Sequence, residues 1–399
     1  MLRSVVVVGA SVSGLKACEG LRHEGFDGAI TLVGAESHLP YDRPPLSKQF
    51  LAGSFGEDRL ALTSETKLAA LDLELVLGER ARCLDPGSRS VVLESGRELP
   101  FDGLVVATGA TPRTLRGAPD LDGVLTLRSL GDAVRLRALL VAPGTRLAVV
   151  GGGFLGMEVA ATARGLGAAV SVVEPLATPL GRVVGPLVGR AIAELHADHG
   201  VELRTGIGVS GLVGHGRVEG LLLDDGSILA ADVVLVAIGV IPATDWLDGS
   251  GLELADGVVC APTLVAAPGV VAAGDVARWP HPLADGTVRL EHRTNAAEQG
   301  VHAASSLLSG TGATPFDSVP YFWSDQFDAK IQSIGLPVAT DEVRVVAGSI
   351  AARRFVACYG RNGRLSAVVG FNSPRQLMGF RELLDRGAMF EEALALDVA

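Results

Sequence analysis

One device occurs twice in this 399-residue chain, and it limits the possible folds more than any other feature. Val5-Val6-Val7-Val8 runs into Gly9-Ala10-Ser11-Val12-Ser13-Gly14, and Leu147-Ala148-Val149-Val150 runs into Gly151-Gly152-Gly153-Phe154-Leu155-Gly156. Each copy is an apolar run of strand length, a glycine-rich turn and a helix-like stretch (15–21; 157–166), then a second apolar run (29–33; 169–173). Continuous apolar strands need cover on both faces, so both copies predict βαβ units in parallel α/β layers. Buried strands ending in glycine turns are expected again at 103–110 and 233–239. These crossovers divide the chain into a discontinuous domain (1–110 and 241–318), a second inserted domain (111–240) and a C-terminal domain (319–399). In the last, alternating runs at 343–350, 354–359 and 365–371 precede a helical stretch from Pro374, an α+β pattern.

A glycine turn at a helix N-terminus lets backbone N–H groups and the positive helix end reach a nucleotide pyrophosphate. Glu36 lies 22 residues past Gly14 and Glu174 lies 18 past Gly156, close to the spacing expected of an acid that accepts from ribose hydroxyls. Ser11 departs from the usual middle glycine but is small and can donate. A carboxylate at Glu174 repels a 2′-phosphate, which favours NADH over NADPH; a plain strand-end surface residue is the alternative.

Composition excludes other classes. With 34 basic and 45 acidic residues the net charge is −11, and there are only three Trp and three Tyr, so neither a polyanion nor a nucleic-acid stacking platform fits. Cys18, Cys83, Cys260 and Cys358 lie far apart, with no CxxC pair, which suits a reducing, cytoplasmic setting and leaves no dithiol relay. Cys18 reads as a small buried hydrophobe on the first helix. His196 and His199 read as a solvated helix face, and no metal is predicted. The uncharged run 257–274 contains Pro262, Pro268 and Gly269 and reads as two short strands rather than a membrane span, and no export signal is read at the N-terminus.

Pro40-Tyr41-Asp42-Arg43-Pro44-Pro45-Leu46-Ser47-Lys48 resembles the signature of the NADH-dependent ferredoxin reductases, a family that includes the putidaredoxin, rubredoxin and dioxygenase reductases, with apoptosis-inducing factor a relative. The resemblance continues through Leu127-Arg128-Ser129-Leu130, Gly153-Phe154-Leu155-Gly156-Met157-Glu158, Gly239-Val240-Ile241-Pro242, Ala273-Gly274-Asp275, Glu291-His292, Asn295-Ala296 and Tyr321-Phe322-Trp323-Ser324-Asp325-Gln326. It implies an α/β fold with two Rossmann-like nucleotide-binding domains (FAD and NAD) plus a C-terminal α+β domain.

The same resemblance implies an FAD with its pyrophosphate at Gly9, Ser11, Ser13 and Gly14 and its adenosine ribose at Glu36. Arg43, Lys48, Arg128, Asp275 and the backbone at Ala81 are further implied contacts. NADH would lie along Gly151, Gly153, Phe154, Leu155, Gly156 and Glu174, with Gly239, Glu291 and His292 near the nicotinamide. Arg293 stands where the family often has Trp. A hydride reaching flavin N5 leaves negative charge on the ring, which the Lys48 ammonium can offset. Glu158 is expected to hold that ammonium, or else to face solvent. Phe154 either covers the flavin or fills a helix–sheet gap, and Asp275 is expected to open a helix.

The implied activity is transfer of electrons from NADH through FAD to a small iron–sulfur ferredoxin, which feeds a cytochrome P450 or another oxygenase. Trp323 is a candidate exit, or plain packing. From Val343 to Arg381 there are seven arginines (Arg344, Arg353, Arg354, Arg361, Arg364, Arg375, Arg381) and no acid, a candidate docking surface for an acidic ferredoxin. A rubredoxin or oxygen as acceptor, and a sensor of the apoptosis-inducing-factor type, remain as alternatives.

Overall fold

The structure is a computed structural model and describes residues 2–117 and 119–397. The chain forms two compact units: Met1–Asp42, Asp58–Thr111 and Ile241–Pro320 make the first, and Arg43–Glu57, Pro112–Val240 and Tyr321–Ala399 the second. The segment that carries Lys48 therefore packs with the second unit.

The first unit is built on a six-stranded sheet in the order Val265–Ala267, Val270–Ala272, Gly103–Val106, Ser4–Val8, Ala29–Gly34, Leu73–Leu77. All pairs are parallel except the edge pair Val265–Ala267 with Val270–Ala272. The valines at 5–8 are buried, as a strand covered on both faces requires. From Ser4–Val8 the chain adds strands on one side and later fills the other, so the order reverses at the carboxyl end of that strand. Ligands of open α/β sheets bind at such a switch point, and here the Gly9–Gly14 turn occupies it.

The second unit repeats this logic with a five-stranded parallel sheet in the order Glu202–Thr205, Ala169–Glu174, Arg146–Val150, Val233–Val236, Val124–Leu125. The Gly151–Gly156 turn lies at its switch point. The same unit holds an antiparallel sheet in the order Tyr321–Gln326, Ala329–Gly335, Arg364–Phe371, Arg354–Arg361, Glu342–Ser349, followed by short helices from Pro374. The three alternating runs of the sequence are strands of this sheet. The helix Gly181–Asp198 links the layers: it kinks at Gly185 (φ 69°) before Pro186, and Tyr359 Oη donates to the Val184 carbonyl at 2.7 Å. Burial pushes the Tyr359 phenol well above its usual range, so it stays a donor.

Two expectations are corrected. Asp275 opens no helix: it sits in a turn followed by the strand Ala277–Pro280, because Val276 and Ala277 continue into buried β-structure. The run 257–274 forms three short strands, Val258–Val259, Val265–Ala267 and Val270–Ala272, since Leu264 and Gly269 at positive φ turn the chain twice. Among the described residues, no helix is long and apolar enough to cross a membrane.

Candidate active site

In the first unit the helix Val12–His23 starts hard against the end of the Ser4–Val8 strand. A Cβ added at Gly14 would stand 1.9 Å from the Gly9 carbonyl oxygen, so only glycine permits this approach. The N-cap Ser11 makes no side-chain cap, and the first turn holds no acid. The helix therefore presents uncapped N–H groups and its positive end. Ser13 Oγ and Gln299 Nε2 are buried with no hydrogen-bond partner among the described residues, while Gln299 Oε1 accepts from the Gly274 N–H at 2.8 Å. Uncapped amides beside unpaired buried donors fit a phosphorylated group such as FAD. Glu36 is half-buried and accepts from Tyr41 Oη at 2.6 Å.

Ala81 opens the strand Ala81–Asp85. Glu291 is exposed and pairs with Arg289 at 2.9 Å, and Arg289 also donates to the Asp275 carbonyl at 3.1 Å. No sequence motif marks Arg289. His292 precedes the helix Arg293–Ser309, and burial lowers it to about 4 against the pull of Asp275, so it is neutral at neutral pH. Arg293 pairs with Asp42 at 3.0 Å, which gives the residue that replaces Trp a structural partner.

The second glycine turn has the same build: a Cβ at Gly156 would stand 2.2 Å from the Gly151 carbonyl oxygen, and the N-cap Gly153 leaves the helix Phe154–Gly165 uncapped. Leu155 is half-buried in its first turn. Glu174 is not an exposed strand-end residue. Its carboxylate is buried, accepts the Gly152 N–H at 2.7 Å and the Leu176 N–H at 2.9 Å, and so pins the turn. Each oxygen keeps a further lone pair for a ribose hydroxyl. Gly239 is exposed at φ 93°, past the strand Val233–Val236.

Also in the second unit, Glu158 does not face solvent. Its Oε2 accepts from Lys48 Nζ at 2.6 Å and from Ser47 Oγ at 2.6 Å, and its Oε1 accepts from Ser324 Oγ at 2.7 Å. The two ion-pair side chains are 11% and 8% exposed, so the pair lies where a charge needs several partners. Thr162, one turn on, donates to the Ser47 carbonyl at 2.8 Å and clamps the Pro44–Ser47 turn to the helix. Arg43 Nη1 donates to the Arg128 carbonyl at 2.5 Å. Phe154 packs edge-on against Phe322 at 4.8 Å. Trp323 is half-buried on the opposite face of its strand, stacked on Tyr321 at 6.1 Å. Ser47, Ser324 and Gln326 lie inside sequence motifs, but local spacing gives them no role.

His196 overturns the expectation of a solvated helix face. It is fully buried, its Nε2 lies 2.9 Å from Gln326 Oε1, and burial lowers it to about 4. His199 stacks on Phe327 at 3.9 Å. The cause is tertiary: the antiparallel sheet covers that side of the helix. Among the described residues, no group of three His, Cys, Asp or Glu side chains could hold a metal ion. All four cysteines are free, and burial pushes the Cys18, Cys260 and Cys358 thiols up to about 12, which keeps them out of thiolate chemistry.

Residues 3–300 match the pyridine nucleotide-disulphide oxidoreductase family, and 321–399 match the reductase C-terminal family. The chain belongs to the pyridine nucleotide-disulphide oxidoreductases. Within them it groups with the ferredoxin reductases. It is 35% identical to putidaredoxin reductase of Pseudomonas putida over 98% of this chain and 96% of that one. It is 36% identical to rhodocoxin reductase of Rhodococcus erythropolis over 96% and 89%. The structure superposes on that of a covalent putidaredoxin reductase–putidaredoxin complex with a TM-score of 0.93 at 34% identity, covering 99% of this chain and 96% of that one.

The buried histidine has a consequence for stability. His196 titrates near 6.5 unfolded and near 4 folded, so between these values the unfolded chain binds more protons and stability rises with pH. Urea-unfolding free energy is expected to fall as pH drops from about 6.5 to about 4. The variant His196→Gln should lose part of that slope; an unchanged slope would show that His196 is not held neutral.

Proposed function

We propose that the protein is an FAD-dependent NADH:ferredoxin oxidoreductase that passes electrons from NADH to a small iron–sulfur ferredoxin, which in turn supplies a cytochrome P450 or another oxygenase. The observation that carries this reading is the Lys48 ammonium held at 2.6 Å by a buried carboxylate, in a chain whose buried thiols cannot act as a relay. Bound FAD would supply the conversion from a two-electron hydride donor to the one-electron steps that an iron–sulfur acceptor needs.

The chain's own residues bind and orient. Gly9, Ser11, Ser13 and Gly14 hold the FAD pyrophosphate with backbone N–H groups and two hydroxyls, and Glu36 accepts from the ribose. Arg43, Arg128, Asp275, Ala81 and Arg293 complete its contacts. Gly151, Gly153, Leu155 and Gly156 hold the NADH pyrophosphate, Glu174 its adenosine ribose, and Gly239, Glu291 and His292 its nicotinamide end. Lys48, fixed by Glu158, would supply positive charge to the ring. Phe154, braced by Phe322, would cover the ring face and move aside for the nicotinamide, and Trp323 would mark the way out for electrons. The relatives support the acceptor, because one solved complex pairs putidaredoxin reductase with putidaredoxin. A cytoplasmic location fits four unpaired cysteines.

The docking surface is narrower than seven arginines. Arg361 is bound to Asp341 at 2.8 Å, Arg344 to Glu342 at 2.6 Å, Arg381 to Asp385 at 3.6 Å, Arg353 to Asp198, and Arg364 donates to the Gly387 carbonyl. Arg354, Arg364 and Arg375 are exposed and their side chains make no ion pair among the described residues, so they are the cations left for an acidic partner.

The reading is tested by stopped-flow spectroscopy on the FAD-loaded protein. NADH should bleach the flavin within milliseconds to seconds and a ferredoxin should restore it, whereas a persistent long-wavelength band with poor acceptor turnover would favour the sensor. Glu174→Gln, which keeps an acceptor in place but removes the charge, should shrink the preference for NADH over NADPH; undiminished discrimination would move the adenosine ribose elsewhere. Arg354→Glu with Arg375→Glu should slow ferredoxin reduction several-fold at low salt, with the difference closing at high salt. Equal kinetics at low salt would remove both residues from the docking surface.

A further inference from the structure

The strand Tyr321–Gln326 alternates, with Phe322, Ser324 and Gln326 buried on one face. The helix Phe154–Gly165 sets Phe154 and Glu158 four residues apart on one stripe. Four residues of helix rise about 6 Å and two residues of strand about 6.8 Å, so the two rows keep step. Phe322 accordingly meets Phe154, with ring centroids 4.8 Å apart, and Ser324 Oγ meets Glu158 Oε1 at 2.7 Å. Gln326, next on the same face, bonds Ser324 Oγ through Nε2 at 3.1 Å and reaches His196 Nε2 through Oε1 at 2.9 Å.

The protons on this chain can be assigned. An ionised Glu158 only accepts, so the single Ser324 hydroxyl proton goes to Oε1 and the Ser324 oxygen must itself accept. It accepts from the Gln326 amide, whose carbonyl then needs a donor, and that donor is the His196 Nε2–H. His196 is therefore the neutral Nε2–H tautomer, in keeping with an Nδ1 that has no hydrogen-bond partner among the described residues. The opposite amide orientation of Gln326 would draw the Ser324 proton to itself and leave Glu158 Oε1 without this donor. His196, Gln326 and Ser324 thus point their donors one way, toward Glu158.

We propose that Ser324, held in its donor orientation by Gln326 and His196, is a positioning residue for the hydride-accepting site: it locks Glu158 and through it the Lys48 ammonium. The C-terminal sheet then contributes to the chemistry of the nucleotide-binding layers in its own unit rather than only to partner docking. The inference rests on the reading of Lys48 as the cation that serves bound FAD. A lysine ammonium rides on a flexible four-carbon stem, so a fixed charge requires a carboxylate fixed at both oxygens.

The test uses Ser324→Ala and Ser324→Thr in the full-length protein loaded with FAD. Ser324→Ala should lower the limiting rate of flavin reduction by NADH roughly tenfold, the scale of one lost hydrogen bond to a charged group, with little change in the Kd for NADH. Ser324→Thr should restore the rate to within about twofold, the order expected when the hydroxyl is retained. In a Glu158→Gln background Ser324→Ala should add little, because the two act through one path. A wild-type rate in Ser324→Ala, or an equal further loss in the Glu158→Gln background, would overturn the proposal.

A second readout needs no flavin chemistry. Acylation of Lys48 by an amine-reactive ester, followed by mass spectrometry, should be several-fold faster in Ser324→Ala than in the parent, and an unchanged rate refutes the locking role. If Ser324→Ala does not fold, Gln326→Met, which frees the Ser324 hydroxyl, should shift both readouts in the same direction. Failure of NADH to reduce the parent flavin would instead sink the functional reading, and the Lys48 acylation rates would still decide the positioning claim.

Discussion

Both units depend on a helix that begins almost in contact with the end of a central strand. Side chains forbid that approach: at Gly14 and Gly156 a Cβ would lie 1.9 Å and 2.2 Å from a carbonyl oxygen of the same turn. Because the gap admits only backbone, the first N–H groups of each helix are left uncapped at the point where the strand order reverses. A site for a phosphorylated ligand follows from that packing in each unit. Glu174 holds the second turn in place by accepting the Gly152 N–H.

The second constraint is a buried carboxylate. Removing one partner from a buried ion pair typically costs about 3–5 kcal/mol, because the other charge is left without compensation. Glu158 is therefore tolerable only with partners on both oxygens, and it draws them from the Pro44–Ser47 turn with Lys48 and from the strand Tyr321–Gln326. These segments are far apart in sequence, and the need to satisfy one charge brings them to the same helix. The arrangement fixes an ammonium group in a place with little water, which is the chemical resource the proposed reaction uses.

The partner surface is governed by the same accounting of charge. A stretch with seven arginines and no acid is basic only as a sequence window. Asp341, Glu342, Asp198 and Asp385 all lie outside that window and neutralise four of its members in the fold. Long-range ion pairs do not announce themselves in a linear count.

The glycine turns, the parallel cores of the two sheets, the alternating strands of the C-terminal sheet and the Lys48 signature were legible in the chain because each rests on local spacing: apolar runs, period-two alternation and glycines at fixed offsets. The partner of Lys48 was also legible, since Glu158 was expected to hold that ammonium. What the sequence could not decide was which face each of those elements turns to another. His196 and His199 look like a solvated pair until a sheet from residues past 320 covers them, Asp275 looks like a helix cap until the next residues join a buried strand, and Ser324 looks like filler beside Trp323. Local patterns fix the elements; burial, and with it the role of each polar side chain, depends on contacts between segments that local spacing does not connect, which only the tertiary structure sets.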